Sequence, residues 1–261
     1  MIFINDINDS RISEFRQMKI LTVNGYYINQ FIADGDKIVL KALNSDLKIY
    51  KLFAKEDFIN ENIELISSKV DSNNIFTADK QFLNEIVGFR LHTGVLALVE
   101  MPEPNKIEEL DNQIVVFNNI ERAENTAAII RSGVGFGFNS YIFDDRSCHP
   151  YSRKSVRISM ASVFKTKYHI TDNLLESLEY LKSINYEIIA VEIHKNSINL
   201  NNYKFNSKIV LIFGSESYGI DSNILNFADK IIEIPITSNI DSLNVNSSSA
   251  IVFNKIFNDN D

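Results

Sequence analysis

Three short stretches hold the side chains most able to do chemistry. "NTAAIIRSG" sets Asn125 and Arg131 on what reads as one helix, and their spacing puts them on neighbouring faces rather than opposite ones. Read alone, they are an Asn near a helix start and a surface Arg with a snorkelling stem. "IVLIFGSESYGI" is a strand running into Gly214-Ser215-Glu216 and then a helix. A glycine at that junction lets a ligand come close to the backbone, and unpaired amides at a helix start can donate to it. The same letters also describe an ordinary turn, with Ser215 as cap and Glu216 complementing the helix dipole. "IPITSNIDSLNVNSSSA" places Leu243 between Ser242 and Asn244 in a polar loop. Ser242 or Asn244 can cap the helix that follows, which leaves Leu243 unexplained. Leucine gains nothing from water there, but it gains if something flat and partly apolar lies against it.

Two other patterns invite a ligand. "RSGVGFGFNS" offers Gly133, Gly135 and Gly137, but the dinucleotide fingerprint needs glycines after a strand and before a helix. Here they follow a helix and precede a strand. NAD is therefore excluded, Gly137 reads as a helix C-cap and the other two as close-packing positions. From Arg146 to Ile170 there is no Asp or Glu, while Arg146, Arg153, Lys154, Arg157, Lys165 and Lys167 are basic; the acid lies elsewhere, as in "FIADGDK". Such a strip, with Arg153, Lys154 and Arg157 at its centre, can grip one phosphate chain, or it can be a solvated face. His92, His149, His169 and His194 show no metal-ligand spacing, so no metal is expected.

The elements that would position these residues fall into two groups around "EMPEPNKIEELDN", which has two prolines and many charges. We expect a small α/β domain over 1–104, a linker at 105–112 and a second domain over 113–261. In the first, "DSRISEFRQM" reads as a helix capped by Ser10, with Ile12, Phe15 and Met18 at helical spacing. "NIELISS" reads as a strand and "TADKQFLNEIV" as a helix. In the second, apolar strands alternate with helices, among them "SRKSVRISMASVF" and "ESYGIDSNILNFA". That pattern implies a mostly parallel sheet covered on both faces, whose ligands sit beyond the carboxyl ends of the strands.

With 45% hydrophobic residues in 261, a sizeable core is available. The single Cys148 makes no internal disulfide, and the sequence shows neither a signal peptide nor a long apolar run. A cytoplasmic protein that does not enter membranes is the expectation. A net charge of −8 argues against coating nucleic acid by bulk charge.

The order of the weak signals is informative. An Asn-to-Arg helix, then "FGSES.G", then "IPI…SLNV", with "RISMASVF" between the first two, resembles the SpoU/TrmH-type RNA ribose 2′-O-methyltransferases of the SPOUT superfamily, from about Gln113 onward. The N-terminal half, through "FIADGDKIVLKAL" and "GVLALVE", resembles that family's substrate-binding domain, itself similar to a ribosomal RNA-binding protein fold. Ala127 stands where the family usually has glycine, Gly133 where it usually has alanine, Ser217-Tyr218 where a glycine-led pair is usual, and "VNSSSA" is more polar than its counterpart.

The resemblance implies a deep trefoil knot in the second domain, holding S-adenosylmethionine. Phe213, Gly214, Ile234, Leu243 and Asn244 would frame the cofactor, with Leu243 as a wall against adenine. It implies methyl transfer to a ribose 2′-hydroxyl, of ribosomal RNA in preference to tRNA, by a homodimer whose site is completed across the interface. Arg131, Asn125, Glu216, Ser242 and Asn244 would carry the reaction. The family's arginine is often assigned as general base. A guanidinium holds its proton in proteins, so Arg131 is better cast as a charge on the RNA phosphate and on the alkoxide forming at the 2′-oxygen. The proton would leave through a phosphate oxygen, Ser242 or water. A catalytically inactive RNA-binding relative is the reading of another class.

Overall fold

The computed structural model describes residues 1–16, 26, 27 and 29–260. Its contacts separate two compact units, Met1–Glu103 with Pro150–Phe164, and Pro104–His149 with Lys165–Asp261.

The first unit contains strands β1 (Ile2–Phe3), β2 (Tyr26–Tyr27), β3 (Gln30–Asp34), β4 (Ile49–Ala54), β5 (Ile75–Thr77) and β6 (Val95–Glu100). Helices α1 (Asp36–Leu43), α2 (Glu56–Glu61), α3 (Ile63–Lys69) and α4 (Lys80–Val87) connect them. The strands pair in the order β1-β5-β4-β6-β3-β2, with β6 antiparallel to both its neighbours. A core of Phe15, Phe53, Leu83, Ile86, Leu96 and Leu98 lies on one face.

Two expectations fail here. Asp9, not Ser10, caps the first element by accepting the Arg11 N–H, and that element is a 3-10 turn over Ser10–Phe15; Met18 lies outside the described residues. "NIELISS" is helical over Ile63–Lys69: Ile66 and Val70 are buried while Ser68 between them is exposed, whereas a strand would put all three on one face.

The second unit, in chain order, has β7 (Gln113–Asn118), α5 (Ala123–Gly135), β8 (Ser140–Asp144), then the segment bearing α6 (Arg153–Ile158), then β9 (Lys167–Thr171), α7 (Leu174–Ser183), β10 (Glu187–Val191), β11 (Ile198–Asn199), β12 (Ile209–Gly214), α8 (Ser222–Phe227), β13 (Lys230–Glu233) and α9 (Val245–Asn260). All pairs in the sheet β11-β13-β10-β12-β7-β8-β9 are parallel. Alternate residues therefore serve opposite faces. Ile114, Val116, Ile188, Val210 and Ile212 pack with Leu178 and Leu181 of α7. On the other face Phe213 and Phe138 meet Phe253 of α9 at ring distances of 5.7 and 4.5 Å. Removing a buried ring of this kind costs about 3–5 kcal/mol, so α9, whose first turn enters the site, is firmly seated.

Residues 150–164, expected within the C-terminal domain, cluster with the first unit instead. Tyr151 and Phe164 pack on Phe31 of β3 at 5.1 and 5.6 Å. The Arg153 guanidinium donates to Asp34 at 2.6 Å and lies 4.5 Å over the Phe89 ring. The single helix expected from "SRKSVRISMASVF" breaks after α6, where Met160 and Ala161 take φ of 54° and 60°, and resumes as a 3-10 turn over Ser162–Lys165.

Gly133 has a packing reason. A Cβ there would lie 2.3 Å from the Tyr141 hydroxyl, which is buried and donates to the Phe138 carbonyl at 2.8 Å. Gly137, at φ +88°, closes α5 as expected, but a Cβ on Gly135 would meet nothing within 4 Å, so that glycine is not a close-packing position. Gly133→Ala is expected to cost about 1–3 kcal/mol by overpacking. Adding Tyr141→Phe, which removes the colliding oxygen, should return much of it. Urea unfolding of the single and double variants checks this; an equally unstable double variant would refute the packing account.

Candidate active site

The carboxyl ends of β10, β12 and β13 open onto a cavity of about 190 Å³ lying wholly within the second unit. Val191, Phe213, Ile234 and Leu243 supply apolar walls, and Glu192, Glu233 and Ser242 are among its polar lining. Leu243 is half-buried and lines this space.

Gly214 sits at the cavity for a reason other than the one expected. Its Cβ position lies 2.4 Å from the Gly219 backbone. Ser215 and Gly219 exchange two backbone hydrogen bonds of 3.1 and 2.8 Å, and Gly219 takes φ +70°. Gly214 is therefore needed by the turn that follows it, not to admit a ligand to its own α-carbon. The turn displaces the expected helix start: α8 begins at Ser222, and the Ser215 hydroxyl accepts the Ser217 amide instead of capping. Glu192 pins the turn from β10 by accepting the Ile220 N–H at 3.1 Å.

A smaller cavity of about 70 Å³ adjoins it, sharing Ser215 and Glu216 and also lined by Asn119, Arg122, Asn125 and Tyr218. Glu216 is the hinge of a polar chain. It accepts a hydrogen bond from the Asn244 amide and lies 3.7 Å from the Arg122 guanidinium. Asn244 is also the cap of α9, its Oδ1 accepting the Asn246 N–H at 3.0 Å. Asn246 in turn donates to Asn125 at 3.2 Å and keeps a buried Oδ1 without a partner.

The structure thus gathers Asn125, Glu216 and Asn244 into one network, and Phe213, Gly214, Ile234, Leu243, Ser242 and Glu216 around one cavity. Asn244 is tied to that cavity through Glu216 and does not itself line it. Arg131 stands apart, exposed on α5 and lining neither cavity.

The expected RNA-binding trio is not one outward face. Arg153 is turned inward on Asp34, with a side chain only 15% exposed; burial lowers its pKa from the ordinary value while Asp34 opposes the shift. Arg157 lies 3.8 Å from the same carboxylate, and of the three Lys154 is the exposed one. Elsewhere on the basic strip, Arg146 pairs with Asp221, whose hydrogen bond raises the guanidinium pKa, and Lys167 pairs with Asp111. His149 is half-buried edge-on to Tyr168, and desolvation takes its pKa down to about 4, so its ring is neutral at pH 7.

Sequence reasoning missed Glu192, Arg122, Asn119 and Ser248, which also lines the large cavity. Arg122, three positions before Asn125, and Ser248, inside the unusually polar "VNSSSA", were findable from motif context.

A doubly covered, parallel α/β sheet with a cavity at its carboxyl edge, beside an Asn–Glu–Asn network, has the ligand-binding layout of an open α/β protein. The profile of the SpoU rRNA Methylase family matches residues 112–254, and the chain belongs to that family of RNA methyltransferases. An uncharacterized tRNA/rRNA methyltransferase of Mycobacterium bovis is 24% identical over 95% of this chain and 88% of its own length. The tRNA (guanosine(18)-2′-O)-methyltransferase of Borreliella burgdorferi is 29% identical over 52% of this chain and 62% of its own. Among solved structures, the AdoMet-bound rRNA methyltransferase from Sinorhizobium meliloti superposes with a TM-score of 0.81 at 19% identity, covering 97% of this chain and 96% of that one. That likeness establishes a common fold.

Proposed function

We propose that the protein transfers a methyl group from S-adenosylmethionine to a ribose 2′-hydroxyl of RNA. The observation that carries this is the pair of cavities meeting at Ser215 and Glu216, one suited to a cofactor and one to a substrate. The larger fits the cofactor chemically: Phe213, Ile234 and Leu243 suit an adenine, while the Glu192 and Glu233 carboxylates suit ribose hydroxyls and a cationic group. Bound there, S-adenosylmethionine supplies an electrophilic methyl on a sulfonium.

The chain's own residues then have separable tasks. Asn125, Glu216 and Asn244 form the network that orients the ribose. Ser242, exposed beside Leu243 on the larger cavity, is one acceptor for the 2′-hydroxyl proton in this reading, a phosphate oxygen or water being the others. Arg131 holds the RNA phosphate and stabilises the forming alkoxide. Because Arg131 lies outside both cavities of its own chain, a homodimer that brings in a second copy's arginine is part of this reading. The threading of the chain after Ile234 into a trefoil knot belongs to it too, supported by the return of Ser242 and Leu243 to the ends of β10 and β12. An experimental backbone trace reads the knot, and light scattering of the full chain reads the dimer.

Ribosomal RNA is the preferred substrate. The Borreliella tRNA enzyme matches only about half of this chain, whereas the Sinorhizobium rRNA enzyme shares the fold across 97% of it, first unit included. Transfer RNA is the second reading, favoured by that enzyme's 29% identity over the stretch it does match.

The test is calorimetry with S-adenosylmethionine and with NAD, joined to mapping of ribose methylations in total RNA from a strain lacking the protein. We expect the first ligand to bind and NAD not to, and a 2′-O-methyl group to vanish from ribosomal RNA. NAD binding without S-adenosylmethionine binding would overturn the proposal, and cofactor binding with no lost methylation would favour an inactive RNA-binding relative.

A further inference from the structure

Tyr218 is 84% exposed. A single exposed aromatic means little by itself, but the setting of this one is unusual. It stands in a turn held from three sides: two hydrogen bonds between Ser215 and Gly219, the close approach of Gly214, and Glu192 on the Ile220 amide. The ring is thus presented by a stiff support and has little backbone freedom left to lose on contact. It lines the small cavity together with Asn119, at the carboxyl end of β7. Asn119 takes φ 62°, a conformation Asn tolerates better than most residues, and its Oδ1 is buried without a hydrogen-bond partner. A buried acceptor left unpaired is costly, and turning the amide to bring that oxygen toward a ligand donor in this cavity would relieve it. Arg122, 76% exposed, supplies a cation on the same rim. A flat aromatic, an unpaired acceptor and a cation around one recess match what single-stranded RNA offers: a π-face, N–H donors on the base edge and a phosphate.

We infer that this cavity receives an unstacked base of the RNA substrate, with Tyr218 as its stacking platform, Asn119 accepting a hydrogen bond from its edge and Arg122 meeting its phosphate. The inference rests on the proposed function and deepens it, since it requires the substrate to be unpaired at the site of reaction. Tyr218 is a substrate-positioning residue in this scheme and Asn119 a specificity residue.

The test uses the full chain, labelled S-adenosylmethionine, and total RNA from a strain lacking the protein. Tyr218→Ala is expected to raise the half-saturating RNA concentration roughly ten- to a hundredfold, with cofactor affinity by calorimetry unchanged. Tyr218→Phe, which keeps the π-face, should recover most of that loss. Asn119→Gly, which tolerates the same backbone angle, should weaken transfer and relax the choice of nucleotide seen by mapping. In a separate binding measurement, a single-stranded RNA oligonucleotide carrying 2-aminopurine should be quenched by the wild-type protein and not by Tyr218→Ala. Unchanged RNA saturation in Tyr218→Ala, or a Phe variant as poor as the Ala variant, would overturn the inference. A wild-type chain that transfers no methyl group would instead overturn the function, and the quenching experiment would still decide the stacking role.

Discussion

Arg131→Ala is expected to slow single-turnover methyl transfer to RNA by a hundredfold or more, the usual consequence of losing one well-placed transition-state donor. Cofactor affinity should not change, because no residue of α5 lines the larger cavity. Arg131→Lys separates charge from geometry: it keeps the cation but loses the planar, two-pronged donor. We expect roughly a hundredfold loss for Lys as well, with Ala worse. The pH dependence distinguishes the two roles an arginine could have. A steering arginine predicts that the Lys variant is slower at every pH with an unshifted profile. An arginine acting as base predicts a wild-type rate that climbs across the accessible range and a plateau that comes into view with Lys. Full activity in Arg131→Ala would remove both.

The fold and the site were legible to different depths, and the reasons are physical. The strands of the second unit are apolar runs because both faces of a parallel sheet are buried, and the shortness and Val/Ile content of runs such as "QIVVFN" and "IVLIFG" arbitrate for strands. "NIELISS" is ambiguous because a short apolar run fits a strand or one face of a helix, and the exposure of Ser68 between buried Ile66 and Val70 decides it. Residues 150–164 could not be placed from their own letters. Their partner Asp34 is 119 positions away, and the acid that neutralises Arg153 is the one in "FIADGDK", which the sequence shows only as acid elsewhere. For the same reason an acid-free strip along the chain is not a basic strip in space.

At the site, the motif residues were visible but not their division of labour. Asn244 was read as cap or as catalytic residue, and it is the cap of α9 while also binding Glu216. The departure at Gly133, odd by family pattern, follows from the Tyr141 hydroxyl filling the space an alanine methyl would take.

Gly214→Ala should be the most damaging small substitution in the second unit's larger cavity. The added methyl would fall 2.4 to 2.5 Å from the Gly219 carbonyl and the Ile220 nitrogen. These are backbone atoms tied by the Ser215–Gly219 bonds and by Glu192, so no side chain can swing away and the turn itself must open. Ser215 and Glu216 on that turn line both cavities. Cofactor affinity by calorimetry and transfer rate should therefore fall together, each by tenfold or more for the roughly 1–3 kcal/mol of overpacking strain that binding would have to reverse. That contrasts with Arg131→Ala, where only the rate falls. The contrast makes a mixing experiment informative. If the site takes its arginine from a second copy, a mixed dimer of Gly214→Ala and Arg131→Ala chains contains one subunit with an intact cavity facing an intact Arg131. Activity should then return on mixing two nearly inactive proteins. No recovery, with mixed dimers demonstrated by differently tagged chains, would place Arg131 in the same chain as the cavity it serves and would refute the shared site.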